Sequence, residues 1–145
     1  MIHLSAFLHA PRHTSTPWSA EHAGVNHEKA RVESQLQERD AEVRAHEHAH
    51  VAALGRGVIH YDTVVGPDGE AYAVGGGVPV DLSPVPGDPE ATVRKAKAAI
   101  QAAYAAGQPS GADMKVAAEA YQLEMAAQHV IEAGQEAGGA QSWYA

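Results

Sequence analysis

An α+β chain is predicted by three observations. Glu28 to Leu54 favours helix without a single Gly or Pro; β-branched and aromatic residues run from Gly57 to Val65 ahead of a Gly-Pro-Asp-Gly turn; two alanine-rich helical stretches close the sequence. Met1 to Val25 mixes Pro, Ser, Thr, His and Gly without periodicity, so residues 1–25 read as a poorly ordered lead-in. Asn26 is placed to cap a helix starting near His27, rich in Ala, Glu, Gln and Arg, which Gly55 and Gly57 stop. Val58, Ile59, Tyr61, Thr63, Val64 and Val65 form the first strand of a hairpin, Gly66 to Gly69 its turn, and Glu70 to Val74 its return. After the three glycines 75–77, Pro79 restricts Val78 to Leu82 to an edge or extended strand.

Pro84 to Pro89 reads as a rigid connector. Asp88 or Pro89 opens a helix to about Ala106, with Glu90 in its first turn where a carboxylate meets the positive end of the helix dipole. Gly107 closes it. Ser110 caps a last helix through Met114, Val116, Tyr121, Met125 and Val130 that fades from Gly134, leaving 135–145 as a flexible tail. Met114, Tyr121 and Met125 read as core residues. The main body is therefore 26–134.

Composition narrows the function classes. A formal charge of -8 over 145 residues gives no electrostatic footprint for nucleic acid, and no basic amphipathic stretch points to a membrane surface. With no cysteine, disulfides, iron–sulfur clusters and thiolate zinc sites are excluded, so a metal must be held by histidine and carboxylate. The first ten residues are interrupted by His3 and His9 and lack a basic start, so they do not read as a signal peptide; a cytoplasmic location is the default expectation.

Inside the first helix, His46-Glu47-His48-Ala49-His50 fits H-E-x-x-H. Residues four apart share a helix face, so His46 and His50 direct two imidazoles at one ion while Glu47 stands beside them. Zinc held this way, with an open position, brings the pKa of its water to about 7, and the glutamate takes the proton as a carbonyl is attacked. Val43, Glu47, His50 and Leu54 fall at helical spacing, which turns the motif inward; His48 points elsewhere. The same residues also admit a plain reading as a solvated, histidine-rich helix face.

Several ordered blocks carry a resemblance: Arg39 to His50, Gly66 to Gly69, Tyr72 to Gly76, Asp81 to Lys95, then Pro109-Ser110 and Val116 to Ala118, on to about Tyr121. Together they resemble the SprA-related family, a bacterial family described as metalloproteases from its H-E-x-x-H motif. The resemblance implies a zincin-like domain, Zn²⁺ as cofactor, Glu47 as the catalytic base and a peptide or protein as substrate; the charge and composition separately speak against nucleic acid or membrane as partner. Where the family pattern reads G-G-E-V, this chain has Gly75-Gly76-Gly77-Val78, a glycine in place of an acidic residue. A catalytic zinc site needs a third protein ligand. Asp81 is the first choice, because it matches the family pattern on the extended segment after the glycines; Glu90 is second and His60 third. Ala53 and Arg56 stand where a longer H-E-x-x-H-x-x-G-x-x-H pattern requires Gly and His. Tyr61 or Tyr72 is a candidate hydrogen-bond donor to an oxyanion, and Val78 to Leu82 an edge for a peptide strand. The alternative is a metal-binding or interaction module that keeps the histidine helix without hydrolysis.

Overall fold

The computed structural model describes residues 18–141, with side-chain surroundings defined over residues 23–136. Helix α1 (Trp18–Leu54) carries the hairpin β1 (His60–Val65) and β2 (Ala71–Gly77); an irregular linker leads to α2 (Pro89–Ala103) and α3 (Gly111–Gln141). The α+β class holds: the described residues form three helices, a two-stranded antiparallel sheet and a C-terminal helical hairpin. Expectations for residues 1–17 and 142–145 lie outside the described residues.

Helix α1 starts earlier than the sequence predicts. Trp18 to Val25 already belongs to it, so Asn26 sits inside the helix and caps nothing. Gly24 is a lone interruption, and one glycine costs about 1 kcal/mol relative to alanine, too little to break a helix flanked by Ala, Glu and His. Helix α3 likewise runs past Gly134, through part of the expected tail. Asp88 caps α2 by accepting the Ala91 N–H at 2.7 Å, with Pro89 next in line, and α2 ends at Ala103 rather than Ala106.

Alanine dominates the core. Ala96, Ala99, Ala102 and Ala103 of α2 and Ala117, Ala120 and Ala127 of α3 are buried; side chains this small let the two helices approach closely. Met114, Tyr121 and Met125, expected in the core, are exposed instead. Their face of α3 is turned away from the alanine seam, and no described element covers it.

Strand β2 lies on α1, fastened through a bulge. Asp62 pairs with Gly75 and Thr63 with Ala73, so Val74 is the extra residue, and β2 continues through the glycines rather than ending before them. The bulge leaves backbone groups for α1 to satisfy: Asp40 Oδ1 accepts the Ala73 N–H at 2.8 Å, and Arg39 Nε donates to the Val74 carbonyl at 3.2 Å. Arg44 adds to this attachment, bonding Asp40 at 2.9 Å and placing its guanidinium 4.8 Å from the Tyr61 ring centre. Val78 to Leu82 forms no strand. Pro79 lacks an N–H, and among the described residues there is no third strand to pair with it.

Gly76 is where the sheet meets the motif helix. A Cβ there would stand 2.8 Å from the His60 carbonyl oxygen and 3.1 Å from Glu47 Cγ, so only glycine lets β2 rest on Glu47. Gly76→Ala is expected to destabilise the fold by about 1–3 kcal/mol, the usual cost of overpacking. Urea denaturation measures it; an unchanged midpoint would mean that strand and helix are not in this contact.

Candidate metal centre

The motif helix delivers His46 and His50 side by side, their ring centres 4.6 Å apart and nearly perpendicular. A third side chain meets them from the start of α3. His46 Nε2 lies 3.0 Å from Asp113 Oδ2, and His50 Nε2 lies 3.3 Å from Asp113 Oδ1. One donor atom from each of the three side chains lies within 4.8 Å of the others, close enough for them to converge on a single ion. His46, His50 and Asp113 form a group that could hold a metal, the one such group among the described residues.

Hydrogen bonding fixes the chemistry of His50. Its Nδ1 lies 2.7 Å from the Ala102 carbonyl oxygen, in the last turn of α2, and in the neutral ring Nδ1 must donate that bond. Nε2 is then an unprotonated acceptor facing a carboxylate oxygen, another acceptor. It is buried and without a hydrogen-bond partner. Two acceptors facing each other in a buried site are unfavourable unless a proton or a metal ion lies between them, and a backbone carbonyl orienting the far nitrogen is the usual support for a metal-bound histidine. The donor set and this orphaned nitrogen both fit a metal ion.

Asp113 is held in place from its own helix. Ser110 N donates to Asp113 Oδ2 at 2.7 Å and Asp113 N donates to Ser110 Oγ at 3.2 Å, a reciprocal cap at the N-terminus of α3. Partial burial works to raise the Asp113 pKa, but the Ser110 N–H and hydroxyl together with His46 outweigh it and hold the carboxyl below its ordinary 3.8. A lowered folded-state value stabilises the fold above the unfolded pKa. That contribution is expected to be complete above about pH 4 and to be lost as pH falls through the folded value, while Asp113→Asn removes it. Urea denaturation of the two proteins from pH 2 to pH 7 tests this: a stability difference that stays the same at every pH would contradict it.

Glu47 follows His46 in the motif. It is only 5% exposed, lies under Gly76, and its Oε2 has no hydrogen-bond partner. A buried carboxylate oxygen left unbonded carries a desolvation cost, which is common where the oxygen has a task to perform.

The other candidates lie elsewhere. Asp81, the expected third ligand, bonds Lys95 Nζ at 2.6 Å and the Ser83 amide at 2.9 Å; its side chain is 71% exposed, and Lys95 and Ser83 hold its carboxyl well below the ordinary range. It caps a local turn and stands apart from the histidine pair. Glu90 is exposed in the first turn of α2, His60 is exposed opposite Gly77, and His48 is exposed on α1. The Tyr72 hydroxyl donates to Asp68, while Tyr61 lies against Arg44. Asp113 carries a sequence signal, the capping pattern Ser110-x-x-Asp113, but only packing reveals that this cap faces a histidine 67 positions earlier.

Among the described residues, the group is lined by a small cavity and by a groove. A cavity of about 20 Å³ is walled by His50, Asp113, Leu54, Val80, Ala102 and Val116, room for a water molecule. On the other side His46 lines a groove of about 590 Å³ with Arg39, Glu42, Ala49, Ala106 and Ser110. No helix of the described residues is long and apolar enough to cross a membrane. No curated protein and no solved structure matches the chain. The model of the SprA-related family matches residues 14–138.

Proposed function

The chain belongs to the SprA-related family, and from that membership and the His46, His50, Asp113 group we propose that it is a zinc-dependent metallopeptidase, zincin-like in the use of its motif helix. The observation that carries this reading is His50 Nε2, buried and unpartnered while Nδ1 is tied to the Ala102 carbonyl. His46 and His50 through Nε2, and Asp113 through its carboxylate, are the residues that would hold the ion, a His₂-carboxylate set that leaves a coordination position open. Bound zinc supplies Lewis acidity, polarising a carbonyl and acidifying water.

The chain's own residues divide the remaining work. Glu47 Oε2, free of other bonds, accepts the proton of the attacking water and returns it to the leaving amine. Gly76 and the bulged β2 keep Glu47 from turning out to solvent. Ser110 keeps Asp113 ionised and aimed at the histidines. The groove beside His46 gives a polypeptide access to them, and the acidic surface disfavours nucleic acid as a partner.

Gly77 is compatible with this function. A Cβ built there meets nothing within 4 Å, and strand alternation from Gly76 turns it away from Glu47. An acidic residue at 77 would therefore leave the sheet on the side opposite the motif helix, and the glycine removes no ligand from the group.

Zinc-loaded protein is expected to hydrolyse an unfolded polypeptide such as casein, and protein stripped by a chelator to be inactive until zinc is restored. Absence of cleavage by zinc-saturated protein across a broad peptide library would contradict the peptidase reading and leave the alternative, a metal-binding module without hydrolysis.

A further inference from the structure

The free edge of the hairpin carries a pattern that the metal group does not use. Of the described elements only β2 lies beside β1, while β2 is itself fastened to α1 through Asp40 and Arg39. Among the described residues, β1 therefore presents an open outer edge. It lacks the usual guards against strand pairing: His60 to Val65 contains no Pro, Lys or Arg, and the bulge lies in β2. Val64 and Val65 are exposed there, as is Val58 just before the strand.

Alternation sorts the strand into two faces. Tyr61 lies on the α1 side, against Arg44, so His60, Asp62 and Val64 lie on the solvent side, where all three are exposed. Neither His60 nor Asp62 forms an ion pair among the described residues.

Outward-facing backbone groups alternate as well. Two antiparallel copies of β1 related by a two-fold axis can thus pair only with one residue directly on that axis. An axis at Asp62 opposes two carboxylates, which is unfavourable; an axis at Thr63 sets Asp62 against the partner's Val64, and an axis at His60 sets it against the partner's Val58. Only an axis at Tyr61 sets His60 against the partner's Asp62, and symmetry repeats the pair. In the same register Val58 meets the partner's Val64, again twice, so the exposed face is complementary to itself.

We propose that β1 joins a second copy of this chain, edge to edge and antiparallel about a two-fold axis at Tyr61, into a continuous four-stranded sheet. At each of two symmetric positions an imidazole N–H donates to a carboxylate, and main-chain hydrogen bonds fill the open edge. A two-stranded sheet is marginal by itself, and pairing doubles it. One partner occupies the edge, so the assembly closes at two copies.

Strand pairing alone buries less than a standard interface, so a Kd of about 10–100 μM is expected. Sedimentation equilibrium of the full chain, in chelator so that its 10 histidines bridge no metal, should show 15.2 kDa monomers passing to a species of twice that mass as concentration rises. Asp62→Arg is expected to weaken the dimer at least about tenfold, and His60→Glu combined with Asp62→Arg to restore it, because the pair is only reversed. Val64→Lys, a charge placed opposite the partner's Val58, is expected to weaken it independently. Both positions are exposed, so parental helix content by circular dichroism should accompany each change. A monomer at every concentration would overturn the proposal and leave the edge to an extended peptide. An assembly larger than two copies, or an Asp62→Arg defect that His60→Glu does not repair, would also overturn it. So would a dimer that survives Asp62→Arg and Val64→Lys but is lost in Tyr121→Glu, which would place the contact on the exposed face of α3.

Discussion

Glu47→Gln is expected to keep zinc affinity within a fewfold of the parent while lowering peptide hydrolysis by about 10²–10⁴, the contribution typical of a positioned general base. The substitution preserves shape beneath Gly76, where the Glu47 Cγ contact leaves no slack, and removes only the capacity of Oε2 to take a proton. Because that oxygen makes no hydrogen bond, the amide disrupts no existing partner, and folding should be retained. Steady-state hydrolysis beside a zinc titration measures both effects. Hydrolysis unchanged in Glu47→Gln would exclude Glu47 as the base; loss of zinc affinity as well would make it a ligand.

His50→Ala is expected to have the larger effect on metal. It removes one of three ligands and lowers zinc affinity by at least about 100-fold. It also frees the Ala102 carbonyl at the end of α2, so a lower melting temperature should accompany the loss. His46→Ala separates the two consequences. His46 is only partly buried and bonds Asp113 alone, so its loss should cut zinc affinity comparably with a smaller effect on melting. Retained stoichiometric binding in both variants would place the metal elsewhere.

The parts of this architecture legible in the sequence were those set by local rules. The Gly- and Pro-free run ending at Gly55 gave α1 and the shared face of His46 and His50; the Gly66 to Gly69 turn gave the hairpin; Asp88-Pro89 and Ser110 marked the starts of α2 and α3. Errors came where tertiary contacts decide. Large apolar residues at helical spacing suggested that Met114, Tyr121 and Met125 form the core, yet α2 and α3 pack through alanine, which a count of bulky side chains does not weigh. The family pattern and the extended segment after the glycines point to Asp81 as the third carboxylate. In the fold, Lys95 and Ser83 occupy Asp81, and the N-terminus of α3 swings Asp113 over the motif helix instead. A capping pattern names the local role of Asp113, but no local pattern names the residue across from it.

Whether His46, His50 and Asp113 form one metal centre comes down to a single comparison. It is tested most directly by zinc calorimetry on metal-free parent protein, Asp113→Asn and Asp81→Asn. Tight one-to-one binding is expected in the parent, at least about 100-fold weaker binding in Asp113→Asn, and parental affinity in Asp81→Asn. Asn at 113 still accepts hydrogen bonds at the cap, so a change in zinc affinity without gross unfolding reports the ligand rather than the helix start. Parental affinity in Asp113→Asn with weakened binding in Asp81→Asn would contradict the account and return the third ligand to the segment after the hairpin.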